Sequence, residues 1–245
     1  MNQKKSAIIL AAGKGKRMKS DIPKVLHAVS GKPLIRHLLE TLSKLDFDKI
    51  VVVIGYKGEQ VIEKIKDFDV EFVWQREQRG TGHAVLMARD IFDNYDGDII
   101  VAFGDVPFLS AESVNSVFDT HHKFNASATC LTAEFDDPKG YGRIIRKPGT
   151  QVLLDIVEQK DADPETLKIK EINSGTFCFD CRDLFSVLPD VGEDNAQKEQ
   201  YLTDTIKLLN AKGKVCVVVK SANPFEVKGV NSAEELLALE KARKN

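Results

Sequence analysis

The sequence predicts an α/β fold: a doubly wound, mostly parallel sheet carrying a smaller mixed, partly antiparallel lobe. Three observations predict it. Short, uniformly apolar runs at residues 6–10, 50–54 and 99–103 have the composition of strands covered on both faces. Helix-like segments alternate with such runs through the first half, and repeated strand–helix units imply parallel pairing. Beyond residue 128 strand-like segments follow one another with few helices between them.

In chain order, Ser6-Ala7-Ile8-Ile9-Leu10 is the first strand. It leads into Leu10-Ala11-Ala12-Gly13-Lys14-Gly15-Lys16-Arg17-Met18, closed by Pro23-Lys24. Gly13 and Gly15 allow backbone amides to approach an anion. Residues 11–24 hold five cationic side chains (Lys14, Lys16, Arg17, Lys19, Lys24) against Asp21, a local charge of +4 in a chain of net charge −2. A strand feeding a glycine-rich cationic loop is a phosphate site. The loop is neither G-x-x-x-x-G-K-[ST] nor G-x-G-x-x-G, because Met18 stands at the third glycine's place.

Leu34, Leu38, Leu42 and Leu45 form one stripe of a helix opened by Pro33. After the strand at 50–54 come a helix at about 59–66 and a strand at about 70–74. The polar loop at 75–80 leads to a helix with Thr81 as N-cap and Val85, Ala88 and Phe92 on its buried side. His83 is expected to be a packed first-turn histidine. The strand at 99–103 ends at Gly104-Asp105, the edge where ligands bind in open parallel sheets. Asp105 there either holds a hard divalent cation against the loop's phosphates or caps the next turn. Strands are expected at 129–134, 143–146, 152–158 and 173–180. Helices follow at 201–211, closed by Gly213, and at 232–244, opened by a Ser232/Glu235 capping box. Asn231, taken alone, is a cap residue or an oxygen ligand. No repeat or linker divides residues 1–245, so one domain with two lobes is expected.

Composition narrows the class. Hydrophobic residues make up 42% and charged residues 29%, with pI near 6.2, which disfavours nucleic acid as a partner. No apolar run approaches the roughly 18 residues of a membrane span, and no signal core follows Met1-Asn2-Gln3-Lys4-Lys5. A cytoplasmic protein without a membrane partner is expected. Cys178 and Cys181 are formally C-x-x-C, but no second pair or nearby histidine completes a zinc site, and no helix start follows. Cys130 and Cys216 sit in apolar runs as small hydrophobes.

The Leu10–Met18 motif followed by Pro23-Lys24-Val25-Leu26 resembles the signature of sugar-1-phosphate nucleotidyltransferases. It is similar in particular to the N-terminal pyrophosphorylase domains of bacterial N-acetylglucosamine-1-phosphate uridyltransferases. Gln75-x-x-Gln-x-Gly-Thr-Gly-His, Gly140-Tyr-Gly-Arg-Ile, Val157-Glu158, Glu171-Ile-Asn173-Ser-Gly and Val227-x-Gly-Val-Asn231 continue the match in order, from Ile8 to about Leu239. The resemblance implies a Rossmann-like fold of the nucleotide-diphospho-sugar transferase type. It implies nucleotide contacts at Leu10, Ala11, Ala12, Gly13, Lys24, Gln75, Gly80, Thr81 and Gly104, with Gln75, Gly80 and Thr81 at the uracil. Gly140 would lie near an N-acetyl group, and Glu158 and Asn173 on sugar hydroxyls. Arg17, Lys24 and Asp105 would be catalytic, with Mg²⁺ on Asp105 and Asn231. Residues 195–197 and 201–204 would be scaffolding near the sugar lobe. One departure is Phe103, where many members have tyrosine.

The implied reaction is uridylyl transfer from UTP to N-acetylglucosamine-1-phosphate, giving UDP-N-acetylglucosamine and pyrophosphate for a cell-envelope precursor pathway. The alternatives are another nucleotide and sugar-phosphate pair, or a catalytically silent nucleotide-sugar-binding regulatory domain. The bifunctional members continue into a left-handed β-helix that acetylates glucosamine-1-phosphate and trimerises. This sequence stops at Asn245, so acetyl transfer is expected to be absent and a monomer is favoured.

Overall fold

The computed structural model describes residues 4–244, apart from the side chains of Lys16 and of residues 242–244. Met1–Gln3 and the Lys16 side chain, both used in the sequence reading, therefore lie outside the described part. The first half runs β1 (Lys4–Ala11), β2 (Ala28–Val29), β3 (Lys32–Pro33), α1 (Leu34–Leu42), β4 (Lys49–Ile54), α2 (Gly58–Ile65), β5 (Glu71–Trp74), α3 (Thr81–Leu86) and β6 (Gly97–Phe103). The second half runs α4 (Ala111–Phe124), β7 (Ala128–Glu134), β8 (Arg143–Arg146), β9 (Leu153–Val157), β10 (Glu171–Asp180), α5 (Cys181–Val187), α6 (Asp204–Ala211), β11 (Cys216–Lys220) and α7 (Ala233–Lys244).

Strand β1 lies between β4 and β6, and β5 extends from β4; all four are parallel. The sheet order is β11-β7-β10-β6-β1-β4-β5. Strand β10 breaks the parallel run, pairing antiparallel with both β6 and β7, and β8 pairs with β10 and β9 to build the second lobe. The mixed, partly antiparallel extension is thus present as expected. Alternate residues of β1 serve opposite cores. Ile8 and Leu10 pack with α3, α5 and α6, while Ala7 and Ile9 pack with α1, α2 and α4. That two-sided burial is why the parallel strands are uniformly apolar rather than alternating. Leu34, Leu38 and Leu42 are fully buried in α1; Leu45 packs on the core of Leu38 and Leu42 from beyond the helix end, while Leu34 packs with Met18 and Val29. Among the described residues no helix is long and apolar enough to cross a membrane.

Several expectations change. Helix α4 was not anticipated; Ser110 caps it by accepting from the Ser113 amide (3.1 Å), and Val114, Val117 and Phe118 are its buried stripe. A helix does start at the C-x-x-C, since the Asp180 carboxylate caps α5 through the Asp183 amide (2.8 Å). Thr81 is not an N-cap. Gly80, at φ 117°, takes that place, and Thr81 Oγ1 instead accepts from the Leu202 amide (2.9 Å). At α7, Ser232 Oγ accepts from the Glu235 amide (3.2 Å), but the Glu235 carboxylate reaches the Asn231 amide (2.7 Å) rather than closing the box on Ser232. Helix α6 starts at Asp204, which leaves residues 201–203 free to line the site.

Candidate active site

The carboxyl ends of β1, β4 and β6 open onto one edge of the sheet. From β1 the chain turns through Gly13 and Gly15, and the Met18 amide closes the turn on the Gly15 carbonyl (2.9 Å). Gly15 has φ +62°, and a Cβ there would lie 2.7 Å from the Lys24 Cβ, so only glycine lets the loop fold against Lys24. Met18 is buried and anchors the loop, leaving Arg17 exposed.

Four residues from three distant segments meet at this edge. The Lys24 ammonium forms an ion pair with the buried Asp105 carboxylate and donates to Asn231 Oδ1 at 3.2 Å. Arg17 Nη2 donates to the same amide oxygen at 3.1 Å. The Val230 amide bonds the Asp105 carbonyl (3.0 Å), holding the segment before α7 against the exit of β6. Gly229 is not there for close approach: a Cβ would meet nothing nearer than 3.8 Å.

The Lys24–Asp105 pair of this cluster stands where two hollows join. One, of about 570 Å³, is walled by Leu10 to Gly15, Gln75, Gln78, Gly80, Thr81 and Ala84. The other, of about 230 Å³, is walled by Gly140, Tyr141, Glu158, Asn173, Tyr201 and Thr203. Lys24, Thr81, Phe103, Asp105 and Glu199 belong to both, so the two are halves of one trough. Gly104 lines neither half; its amide bonds the Leu10 carbonyl (3.0 Å) and so sets the strand ends level. Phe103 gives the trough an apolar wall and packs so tightly on Gly175 that a Cβ there would lie 2.6 Å from the ring.

In the first half, Gln75 is buried and donates from Nε2 to the Gly80 carbonyl (2.9 Å). Gly80 is pressed onto the backbone of Gln200, and a Cβ would come within 2.5 Å of that carbonyl. In the second half, Asn173 sits just before the irregularity in β10; its Oδ1 accepts from the Gly175 amide (2.8 Å), which leaves the amide nitrogen as its remaining polar group. Thr203 Oγ1 donates to the Glu158 carboxylate (3.3 Å). Burial, reinforced by Asp161 and Asp204, raises the Glu158 carboxyl above its ordinary range. The Gly140 amide bonds the Gln159 side chain from a φ of +91°. Of the segments expected as scaffolding, 195–197 and 201–204, Gln197, Tyr201 and Thr203 line the trough directly, and so does Glu199 between them. The expected helix start at residue 201 hid the last of them, since α6 begins only at Asp204.

The cysteines remain small buried hydrophobes, and all four are free. The expectation that no histidine lies near Cys178 is corrected: His121 and Asp98 offer atoms within 4.8 Å of one another and of its sulfur. The Asp98 carboxylate is approached by His122 at 2.6 Å and by His121 at 3.5 Å, and His121 Nδ1 bonds Thr129 Oγ1 (3.0 Å). Burial pushes the Cys178 thiol well above its ordinary value, which keeps it protonated.

The sequence matches the MobA-like NTP transferase domain over residues 7–190, most of the chain. The chain belongs to that family. Curated relatives of this nucleotidyltransferase include the bifunctional protein GlmU of Clostridium novyi (strain NT), 48% identical over 242 residues, 96% of this chain and 52% of that protein. GlmU of Enterococcus faecalis (strain ATCC 700802 / V583) is 45% identical over 92% of this chain and 49% of its own length. The chain thus spans about half the length of the curated relatives it matches. Among solved structures, a UDP-glucose pyrophosphorylase complexed with UDP-glucose superposes with a TM-score of 0.75 at 19% identity over 98% of both chains. A putative glucose-1-phosphate thymidylyltransferase from Bacillus anthracis gives 0.77 at 20% identity, covering 98% of this chain and 96% of that one. These two likenesses establish the fold.

Proposed function

We propose that the chain transfers a uridylyl group from UTP to N-acetylglucosamine-1-phosphate, releasing pyrophosphate, with Mg²⁺ as its metal. The observation that carries this reading is the meeting of Arg17, Lys24, Asp105 and Asn231, with Lys24 and Asp105 standing at the joint of a two-part trough. A reaction that joins two phosphates needs cations and oxygen donors where the two ligands meet. GlmU relatives at 42–48% identity support the choice of substrates.

The donor set fits a hard divalent ion. Asp105 offers a carboxylate and Asn231 an amide oxygen, and the two already share one cation, the Lys24 ammonium. Bound to those oxygens, Mg²⁺ would draw charge from the phosphates of both substrates. Everything else is done by the chain. The loop from Leu10 to Gly13 cradles the triphosphate, and Gln75, Gly80 and Thr81 hold the base. Glu158 and Asn173 take sugar hydroxyls, one as acceptor and the other as donor, and Gly140 lies by the N-acetyl group. Arg17 and Lys24 offset charge on the triphosphate and the attacking phosphate. A phosphate oxygen of the sugar attacks the α-phosphorus in line, and pyrophosphate leaves. The nucleophile is already anionic at neutral pH, so no strong general base is required.

The test is pyrophosphate release with Mg²⁺, comparing UTP with CTP and dTTP, and N-acetylglucosamine-1-phosphate with glucose-1-phosphate. Release with UTP and the N-acetylated sugar is expected. Release with a different pair would overturn the substrates, and silence in a folded protein that binds the nucleotide sugar would overturn the enzyme reading.

A further inference from the structure

His83 has no task in the reaction above, yet it touches the group proposed to read the base. It stands in the first turn of α3, half-buried, with Nδ1 3.0 Å from Gln75 Nε2. That same Nε2 lies 2.9 Å from the Gly80 carbonyl oxygen. A carbonyl oxygen only accepts, so the amide end facing Gly80 is the NH₂ end. His83 Nδ1, facing that NH₂ group, must then accept as well. The imidazole is therefore neutral, with its proton on Nε2. Both hydrogens of the Gln75 amide are engaged, and Oε1 is the end left to meet a ligand in the trough.

We propose that His83 is a positioning residue that locks the Gln75 amide with Oε1 toward the nucleobase, so that the site selects a base carrying a ring N–H and rejects cytosine. This rests on the uridylyltransferase reading and names the device that sets its base choice. Uracil and thymine present an N–H between two carbonyls, which a locked acceptor matches. Cytosine presents an unprotonated ring nitrogen there, and two acceptors would face each other across a dry contact. Without His83 the amide could leave Gly80, turn over and offer its NH₂ to cytosine. Burial and the nearby Arg79 favour neutral His83, outweighing Glu77 and Glu193, the acidic groups that face it.

Two variants separate this role from mere packing. His83→Leu removes the acceptor, and His83→Asn returns an acceptor oxygen near the position of Nδ1. With N-acetylglucosamine-1-phosphate held constant, kcat/KM is measured for UTP and for CTP. His83→Leu should lower the UTP over CTP ratio by about tenfold, the value of one misdirected hydrogen bond, mainly through KM for UTP. His83→Asn should recover most of the ratio. An unchanged ratio in His83→Leu, or equal losses in both variants, would overturn the proposal. A long-range ¹H–¹⁵N spectrum of the substrate-free protein gives a readout independent of activity. It should show His83 neutral and protonated on Nε2, and a proton on Nδ1 would overturn the lock. Wild-type preference among nucleotides tests the uridylyl reading by itself, so the failure of either idea is told apart from failure of the other.

Discussion

Asp105 and Glu158 are both carboxylates in the trough, and their surroundings differ. Asp105 faces the Lys24 ammonium, which donates to Asn231 alongside the Arg17 guanidinium. Asp105→Ala should lower turnover by about 10²–10³ or more, as loss of a charge-stabilising group at a phosphoryl centre does. Its fold should survive, because the link to Val230 runs through the backbone carbonyl. Near-normal pyrophosphate release from a folded variant would sink the metal assignment. Among the described residues no cation pairs with Glu158; burial, then Asp161 and Asp204, raise its pKa against the pull of Thr203. The folded protein therefore holds that proton more tightly than the unfolded chain. The stability this group contributes is full below the ordinary glutamate pKa and is lost as pH rises through its raised folded value. In melting curves against pH, Glu158→Gln should gain on the parent as pH rises through that window. The same variant should raise KM for the sugar phosphate, and identical pH curves would show that Glu158 is not the group concerned.

At the scale of elements, the approach of α3 to residues 200–202 shapes the nucleotide half. Gly80 and Gly82 lie against Gln200 and Tyr201, the Gly82 amide bonds the Gln200 carbonyl (2.7 Å), and Thr81 takes the Leu202 amide. Gly80→Ala places a methyl group where a backbone carbonyl stands, at a φ that disfavours any Cβ. It should cost about 1–3 kcal/mol in urea unfolding and raise KM for the nucleotide, because Gln75 is bonded to the Gly80 carbonyl. An unaffected KM would show that the base site does not depend on this junction. The elements themselves were unevenly legible. Strands β1, β4 and β6 announce themselves as apolar runs because both faces are covered. Helix α4 has only a weak pattern in the sequence because its buried stripe of Val114, Val117 and Phe118 is diluted by Asn115, Asp119, Thr120 and Lys123. Helix α5 is short, and its capping Asp180 falls inside a C-x-x-C, so the cap signal is overlaid by a cysteine motif.

At the scale of the whole molecule, the trough exists only because an antiparallel strand is added to a parallel sheet. Strand β10 lies along β6 and brings Asn173 and Gly175 beside Phe103, at the edge where Asp105 emerges. The chain then returns Asn231 to the loop that left β1 more than two hundred residues earlier. Binding of UTP with Mg²⁺ should therefore slow amide hydrogen exchange together in residues 13–19 and 225–231. Protection of only one segment would show that the two do not form one site.

The sequence by itself determined the strand–helix alternation of the parallel half, the cationic glycine loop and the ordered motifs that mark the family. These are local patterns, since burial on two faces and freedom at glycine are written into neighbouring residues. Only the tertiary structure decided that Lys24 bridges Asp105 and Asn231, that Gln197, Glu199, Tyr201 and Thr203 wall the trough, and that His83 Nδ1 meets Gln75 Nε2. Those are contacts between side chains far apart in the chain, or at ring atoms whose roles depend on what faces them. No periodicity along a sequence encodes them, because they arise when separate elements reach the same edge of the sheet.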